Sequence, residues 1–221
     1  MKVTKLNYSP EIGNIYVVGE EGEPAIIIDF GYNNNDCLVN YVRKHHNGCL
    51  AILLTHGHFD HIAGLETLNK ENSPLICVSE KEFDYLFDDS LNLGSSFFGK
   101  VLQIKEDLKF YKFEDEDILV FKYVDKENKD RKYKIRVIET PFHTSGSTCF
   151  YFEEDGLLFT GDTLFKLSIG RSDLKGSCPR FMVSSLSKLF SLPPETKIYP
   201  GHGETTSLEY EIKFNPYLRK I

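Results

Sequence analysis

The feature that most constrains this chain is a dense group of histidine and aspartate side chains directly after a short apolar run. Residues 50–54 fit a buried strand, and residues 56–61 then read His-Gly-His-Phe-Asp-His. In an extended loop, residues two apart point the same way, so His56 and His58 can share one metal ion. The turn into the following helix would direct Asp60 and His61 to a second ion. The loop therefore predicts two adjacent metal sites.

Further ligands must come from elsewhere, because one loop cannot complete two coordination shells. Three candidates each follow a predicted strand: His143 in Thr-Pro-Phe-His-Thr, Asp162 in Thr-Gly-Asp-Thr and His202 in Pro-Gly-His-Gly. A carboxylate at Asp162 can bridge two cations, and the glycines beside His202 let the backbone bend closely around an ion. Imidazole and carboxylate ligands suit zinc, and also manganese or iron.

The order of predicted elements favours two mixed halves. The first half alternates strands at 12–18, 25–28, 50–54 and 75–78 with helices at 35–46, 62–69 and 80–87. The second half has strands at 118–123, 134–140, 148–152, 157–160 and 197–199, with helices at 181–189 and 207–214. Such halves are best packed as an α/β (α+β) four-layer sandwich, with two sheets inside and helices outside.

Charge and apolar run lengths exclude several classes of protein. The 26 Lys and Arg against 33 Asp and Glu leave a net charge of −7, which disfavours nucleic-acid binding. The apolar runs are too short to span a bilayer, and the first residues lack the apolar stretch of a signal peptide. Five cysteines without a CxxC spacing predict reduced thiols. We expect a cytoplasmic protein with no membrane or nucleic-acid partner, and the oligomeric state stays open.

Five short motifs, in this order, resemble those of the metallo-β-lactamase fold superfamily: IIIDFG, THGHFDH, TPFHTSGS, FTGDTLF and YPGHGETT. The resemblance spans essentially the whole chain and implies one domain over residues 1–221 with the αββα sandwich of that family. Residues 168–174 and the Asn-Pro-Tyr-Leu at 215–218 most resemble small glyoxalase II-like hydrolases. The helical C-terminal domain that grips glutathione in longer hydroxyacylglutathione hydrolases is not expected here.

The same resemblance implies roles for individual residues. Seven metal ligands fall into two sets that share a bridge: His56, His58 and His143 for the first ion, Asp60, His61 and His202 for the second, and Asp162 between them. Asp60 and Asp162 are also the predicted catalytic carboxylates. Asp29 matches a buried carboxylate that supports the ligand loops. Arg171 is a candidate to bind a substrate carboxylate, with pairing to Asp173 as an equally good alternative.

The activity implied is that of a binuclear metallohydrolase with two divalent ions, for which we expect Zn²⁺, with Fe or Mn as alternatives. Hydroxide generated at the metals would cleave a small-molecule thioester, S-lactoylglutathione or a related small-thiol ester. A thiolate leaves without strong protonation, since thiol pKa values lie near 8.5. Residues 83–98 are predicted to pack in the core, with a cleft wall or a lid as alternatives.

Three other functions stay open. A persulfide dioxygenase would hold a single iron at His56, His143 and Asp162. A ribonuclease Z-like phosphodiesterase would share all the ligands, although the acidic charge balance makes a polyanionic substrate less attractive. A metal-binding protein would have the same metal site but would catalyse no reaction. Metal content and oxygen consumption separate the first of these from a hydrolase.

Overall fold

Two six-stranded sheets form the centre of the molecule. The structure, a computed structural model, describes residues 1–6, 12–31, 35–71 and 73–221. The first sheet has the order β1-β2-β3-β4-β5-β6. Its strands are β1 (Val3–Leu6), β2 (Ile15–Val18), β3 (Ala25–Ile28), β4 (Cys49–Leu53), β5 (Leu75–Ser79) and β6 (Phe110–Phe113). Strands β3 to β6 run parallel, as their helical crossovers require, while β1 to β3 pair antiparallel.

The second sheet has the order β14-β13-β10-β9-β8-β7 and is antiparallel except where β10 meets β13. Its strands are β7 (Ile118–Val124), β8 (Asp130–Glu139), β9 (Thr148–Phe152), β10 (Leu157–Gly161), β13 (Lys197–Pro200) and β14 (Thr206–Ser207). A separate short hairpin joins β11 (Leu164–Phe165) to β12 (Ser168–Ile169). This hairpin follows β10 and lies at the edge where the ligand loops emerge.

The described α-helices are α1 (Asn35–His45), α2 (Phe59–Ile62), α3 (Asp89–Asn92), α4 (Gly94–Phe98), α5 (Met182–Leu189) and α6 (Leu208–Phe214). Helix α1 covers the outer face of the first sheet, and α5 and α6 cover that of the second. Leu38 of α1 packs with the outward residues of the first sheet, and Leu186 and Leu208 pack against the second. A third cluster, including Leu53 and Phe159, fills the space between the sheets. The predicted αββα sandwich is confirmed, because apolar faces are buried in three successive interfaces.

Several boundaries differ from the predictions. The helix predicted at 80–87 is a 3₁₀ helix, Glu80–Leu86, and the one predicted at 62–69 divides into α2 and a 3₁₀ segment, Ala63–Thr67. Strands β1, β6, β11, β12 and β14 had no prediction, since runs of two to four residues carry little periodicity. Among the described residues, no helix combines the length and apolar character needed to cross a membrane.

Candidate metal centre

The loops that carry the predicted ligands meet at one end of the sandwich. They follow β4 (His56–His61), β8 (His143), β10 (Asp162) and β13 (His202). Backbone hydrogen bonds join them: Thr148 N–H donates to Thr55 O at 2.9 Å between the two sheets, and Gly201 N–H donates to Gly161 O at 2.8 Å within the second sheet. The strand ends therefore bring residues far apart in sequence to a single place.

All seven predicted ligands lie together. They form three overlapping groups whose donor atoms lie within 4.8 Å of one another: His56 with His58 and His143, His56 with His61 and Asp162, and Asp60 with His61 and His202. The first and third groups match the two sets predicted from the sequence. Asp162 lies between them, in the second group.

The imidazoles of the first group are oriented by contacts on their outer side. His143 Nδ1–H donates to the carbonyl oxygen of Arg171 at 2.7 Å, which leaves the Nε2 lone pair facing the cluster. His56 Nδ1 lies 3.1 Å from Thr55 Oγ1. Inside the group, His58 Nδ1 and His143 Nε2 face each other at 2.9 Å. The outer contacts of His56 and His143 hold each of these imidazoles in one orientation, as second partners of metal ligands do.

The group of Asp60, His61 and His202 is supported by Asp29. Its carboxylate accepts from the backbone N–H of Thr55 at 2.7 Å, from Thr55 Oγ1 at 2.8 Å and from His61 Nδ1 at 2.8 Å. The opposite nitrogen, His61 Nε2, faces the cluster 3.5 Å from Asp60 Oδ2. His202 Nε2 lies 3.0 Å from that same oxygen. Asp29 thus holds the loop that follows β4 at Thr55 and also fixes the orientation of the His61 ring.

Asp162 presents its two oxygens to different histidines. Oδ1 lies 3.5 Å from His61 Nε2, whereas Oδ2 lies 3.5 Å from His143 Nε2. The loop after β13 packs closely against this carboxylate, because a Cβ added to Gly201 would lie 2.3 Å from Asp162 Oδ1. A larger residue at position 201 would displace this carboxylate.

Unpaired buried atoms test whether the group fits metal ions. Buried polar atoms nearly always have a hydrogen-bond partner. Among the described residues, five such side-chain atoms have none, and four of them belong to this cluster: His56 Nε2, His58 Nε2, His61 Nε2 and Asp162 Oδ1. Three imidazole nitrogens and a carboxylate oxygen that lack partners within one cluster are donor types expected for zinc or iron. The residues present therefore fit divalent metal ions.

The charges of the cluster agree with this fit. Burial lowers the pKa of His56 well below its usual value and that of His58 to about 3, so both rings are neutral and can donate a lone pair. Burial also acts to lower the pKa of His61, but Asp60, Asp29 and Asp162 outweigh it and raise it to about 10. These carboxylates favour positive charge at His61, and a metal ion bound there would supply that charge in place of the proton.

One residue of the site had no prediction. Glu82, fully buried in the 3₁₀ helix after β5, accepts from the backbone N–H of Gly57 at 2.8 Å and of Gly146 at 2.6 Å. Gly57 lies between two predicted ligands and Gly146 follows His143, so one carboxylate joins both loops. An isolated acid in an apolar-periodic stretch gives no sequence signal for this role.

The remaining predicted elements border a cleft beside the cluster. Arg171 lines it, but its guanidinium forms two bonds to the Asp173 carboxylate, at 2.7 and 2.8 Å. Residues 83–98 contribute both to the core and to a cleft wall, because Leu86 is buried in the core whereas Leu93 and Phe97 line the cleft.

Comparison with known proteins identifies the family. A model of the metallo-beta-lactamase superfamily matches residues 8–202. A probable metallo-hydrolase of Streptococcus pyogenes is 31% identical over 98% of this chain and 90% of its own. A hydroxyacylglutathione hydrolase of Bartonella henselae is 30% identical, with 85% of this chain matched to 62% of that longer protein.

Solved structures agree in fold over nearly the full length. The B3 metallo-beta-lactamase BLEG-1 superposes with a TM-score of 0.83 at 29% identity, covering 98% of this chain and 99% of the other. TTHA1623, crystallised in a di-iron-bound form, gives a TM-score of 0.79 at 31% identity and covers 97% and 100%. With the family model, these matches establish that the chain belongs to the metallo-beta-lactamase superfamily and is a metallo-hydrolase.

Proposed function

We propose that this metallo-hydrolase cleaves thioesters with the help of two divalent metal ions. The observation that carries the proposal is the convergence of orphaned nitrogen and oxygen donors into two sets around Asp162. His56, His58 and His143 would hold one ion, and Asp60, His61 and His202 the other. Asp162 would bind both through its two oxygens.

When bound, two such ions lower the pKa of water and stabilise the negative charge that develops on a substrate carbonyl. The chain's own groups keep the donors in place: Asp29 holds His61, and the Arg171 carbonyl holds His143. Asp60 and Asp162 would keep negative charge next to the reacting centre. Water enters from the cleft, where His202 remains partly exposed.

The leaving group favours a thioester over an amide or a lactam. Apart from the proposed ligands, the polar side chains among the described residues that line the cleft are Ser168 and Arg171. Neither is a suitable general acid near neutral pH, so a leaving group that needs no protonation is favoured. A thiol meets this requirement with a pKa near 8.5. The similarity to a hydroxyacylglutathione hydrolase supports the same substrate class.

Elemental analysis with a substrate panel tests the proposal. We expect two divalent ions per chain, and thiol release from thioesters, with S-lactoylglutathione and coenzyme A thioesters in the panel. His58→Ala and Asp162→Ala should retain the fold, hold less metal and lose at least about 100-fold in kcat/KM. His45→Ala is the control, because His45 contacts Glu21 and lies outside the cluster.

Each alternative function predicts another result. One iron per chain with oxygen consumption on a persulfide would identify a dioxygenase, and cleavage of phosphodiesters alone would identify a phosphodiesterase. Two bound metals without turnover of any of these substrates would leave a metal-binding protein. Full activity in His58→Ala or Asp162→Ala would overturn the assignment of the ligands.

A further inference from the structure

The cleft in front of the metal cluster has a volume of about 380 Å³, and apart from the proposed metal ligands its lining side chains are mainly apolar. Its described apolar lining comprises Phe59, Leu93, Phe97, Phe165, Ile169 and Leu174. Ligand sites typically combine an apolar wall with a few polar groups that orient the ligand. Here the polar groups are concentrated at the metal cluster, so the rest of the cleft is available to an apolar part of the substrate.

One wall is aromatic and faces solvent. Phe97 of α4 stacks on Phe59 with ring centroids 5.9 Å apart and an interplanar angle of 12°. Phe98 supports Phe59 from its side, with ring centroids 4.2 Å apart. Phe97 nevertheless keeps 56% of its surface exposed. An exposed ring on an aromatic wall next to a reactive centre offers apolar area that a substrate can cover.

The other wall belongs to the β11–β12 hairpin and the loop after it. Phe165 and Ile169 lie on the two strands of the hairpin, and Leu174 follows in the loop. The Phe165 ring lies edge-on to His202, with centroids 6.0 Å apart. This apolar surface therefore reaches the metal cluster itself, where the scissile group must lie.

The cationic Lys or Arg side chain that lines the cleft is already paired. Arg171 is the one Lys or Arg among the described residues that line it, and its Nε–H and Nη2–H donate to the two oxygens of Asp173. A carboxylate of the substrate would have to compete with Asp173 for this guanidinium. An anionic carrier such as glutathione, with two carboxylates, finds no unpaired cation on these walls.

We infer that the natural thioester carries a neutral, apolar group, alkyl or aryl, that lies between these two walls beside the metal cluster. This inference rests on the proposed thioesterase function and adds the substrate class. Each methylene of the substrate that enters the cleft would move from water to an apolar surface. The favourable free energy of this transfer corresponds to about a fourfold gain in kcat/KM per methylene.

The test compares two neutral series with an anionic thioester, using the metal-loaded protein. One series lengthens the acyl group from acetyl to hexanoyl on N-acetylcysteamine, and the other lengthens the thiol on acetyl thioesters. We expect kcat/KM to rise about fourfold per methylene in at least one series, and the best neutral ester to exceed S-lactoylglutathione. Phe97→Ala should reduce the rise per methylene to less than half.

Phe190→Ala is the matched control, since it removes an exposed phenylalanine outside the cleft and should leave the length dependence unchanged. Calorimetry with uncleavable alkyl thioethers of N-acetylcysteamine gives a readout without turnover, and their affinity should rise with the length of the alkyl chain. Thioester hydrolysis without length dependence, or with S-lactoylglutathione preferred, would overturn this inference and keep the proposed function. Hydrolysis of no thioester at all would overturn both.

Discussion

At the scale of single residues, the centre depends on buried acids that do not face the cleft. Glu82 is the clearest case, because each of its oxygens accepts a backbone N–H from a different ligand loop, at Gly57 and Gly146. Burial raises the pKa of Glu82 to about 7, although these same hydrogen bonds act to lower it. Ionisation of Glu82 therefore lowers the stability of the folded state, while its two hydrogen bonds hold the two ligand loops in position.

The stability of the protein should report this ionisation. The folded pKa of Glu82 lies above the ordinary value of 4.5, so the folded state binds the proton more tightly than the unfolded state does. The contribution of protonated Glu82 to the free energy of unfolding is therefore complete below pH 4.5 and is lost as the pH rises through 7. The shift corresponds to about 3 kcal/mol. Urea unfolding of wild type and Glu82→Gln from pH 4.5 to 8 measures it.

The stability advantage of wild type over Glu82→Gln should shrink across that interval. Glu80→Gln provides the control, because Glu80 is the exposed acid two residues earlier and its variant should follow wild type at every pH. A constant difference between wild type and Glu82→Gln would show that Glu82 does not titrate in this range.

Residues of the site differ in how far the sequence could predict them. His56, His58, Asp60 and His61 are close in sequence, and their spacing alone indicates a metal site. Glu82 contacts backbone groups 25 and 64 positions away. Such contacts depend on packing between separate loops, which composition and periodicity do not encode.

At the scale of elements, a short helix holds the far wall of the cleft. Glu211, in the middle of α6, and Asn215, which directly follows the helix, are both fully buried. Asn215 Nδ2–H donates to Ser168 O at 3.0 Å, and Glu211 Oε2 accepts from the backbone N–H of Leu167 at 2.8 Å. Leu167 has a φ of 59°, a left-handed conformation that a leucine rarely adopts without such support. Helix α6 thus keeps the turn of the β11–β12 hairpin in place.

Asn215→Ala should loosen this hairpin. The substitution removes the Asn215 amide as a buried donor to Ser168 O and to Glu211 Oε2, which costs about 1 to 3 kcal/mol of stability. Since the hairpin carries Phe165 and Ile169, KM for an apolar thioester should rise more than kcat falls. Urea unfolding and steady-state kinetics measure both effects.

Asn47→Ala is the control for that variant, because Asn47 is exposed, and its stability should stay within about 0.5 kcal/mol of wild type. An Asn215→Ala protein with wild-type stability and unchanged KM would refute the role assigned to α6.

Elements were predictable in proportion to their length and burial. Strand β9 begins and ends where predicted, since five consecutive buried residues give a clear apolar run. The hairpin strands β11 and β12 have two residues each, so no periodicity could reveal them. The 3₁₀ helix Glu80–Leu86 has the apolar spacing of an α-helix, and local sequence does not distinguish the two.

At the scale of the whole molecule, the metal cluster joins two halves of the chain. His56, His58, Asp60 and His61 come from the half that forms the first sheet, whereas His143, Asp162 and His202 come from the half that forms the second. Ions bound by both sets would therefore connect the sheets at one edge, while the core between them connects their faces. Because such a site does not exist in the unfolded chain, binding free energy adds to folding free energy.

Metal removal should accordingly lower the thermal stability of the protein. At a free metal concentration 100 times Kd, one ion stabilises the folded state by about 2.7 kcal/mol, which corresponds to a Tm shift of about 5 to 11 °C for a chain of this size. Calorimetry before and after chelation measures the shift, and added Zn²⁺ should restore the original Tm whereas Mg²⁺ should not, since Mg²⁺ prefers oxygen ligands. Asp162→Ala, which lacks the carboxylate between the two sets, should show a smaller shift on chelation. An unchanged Tm after complete removal of metal would show that the ions do not connect the two halves.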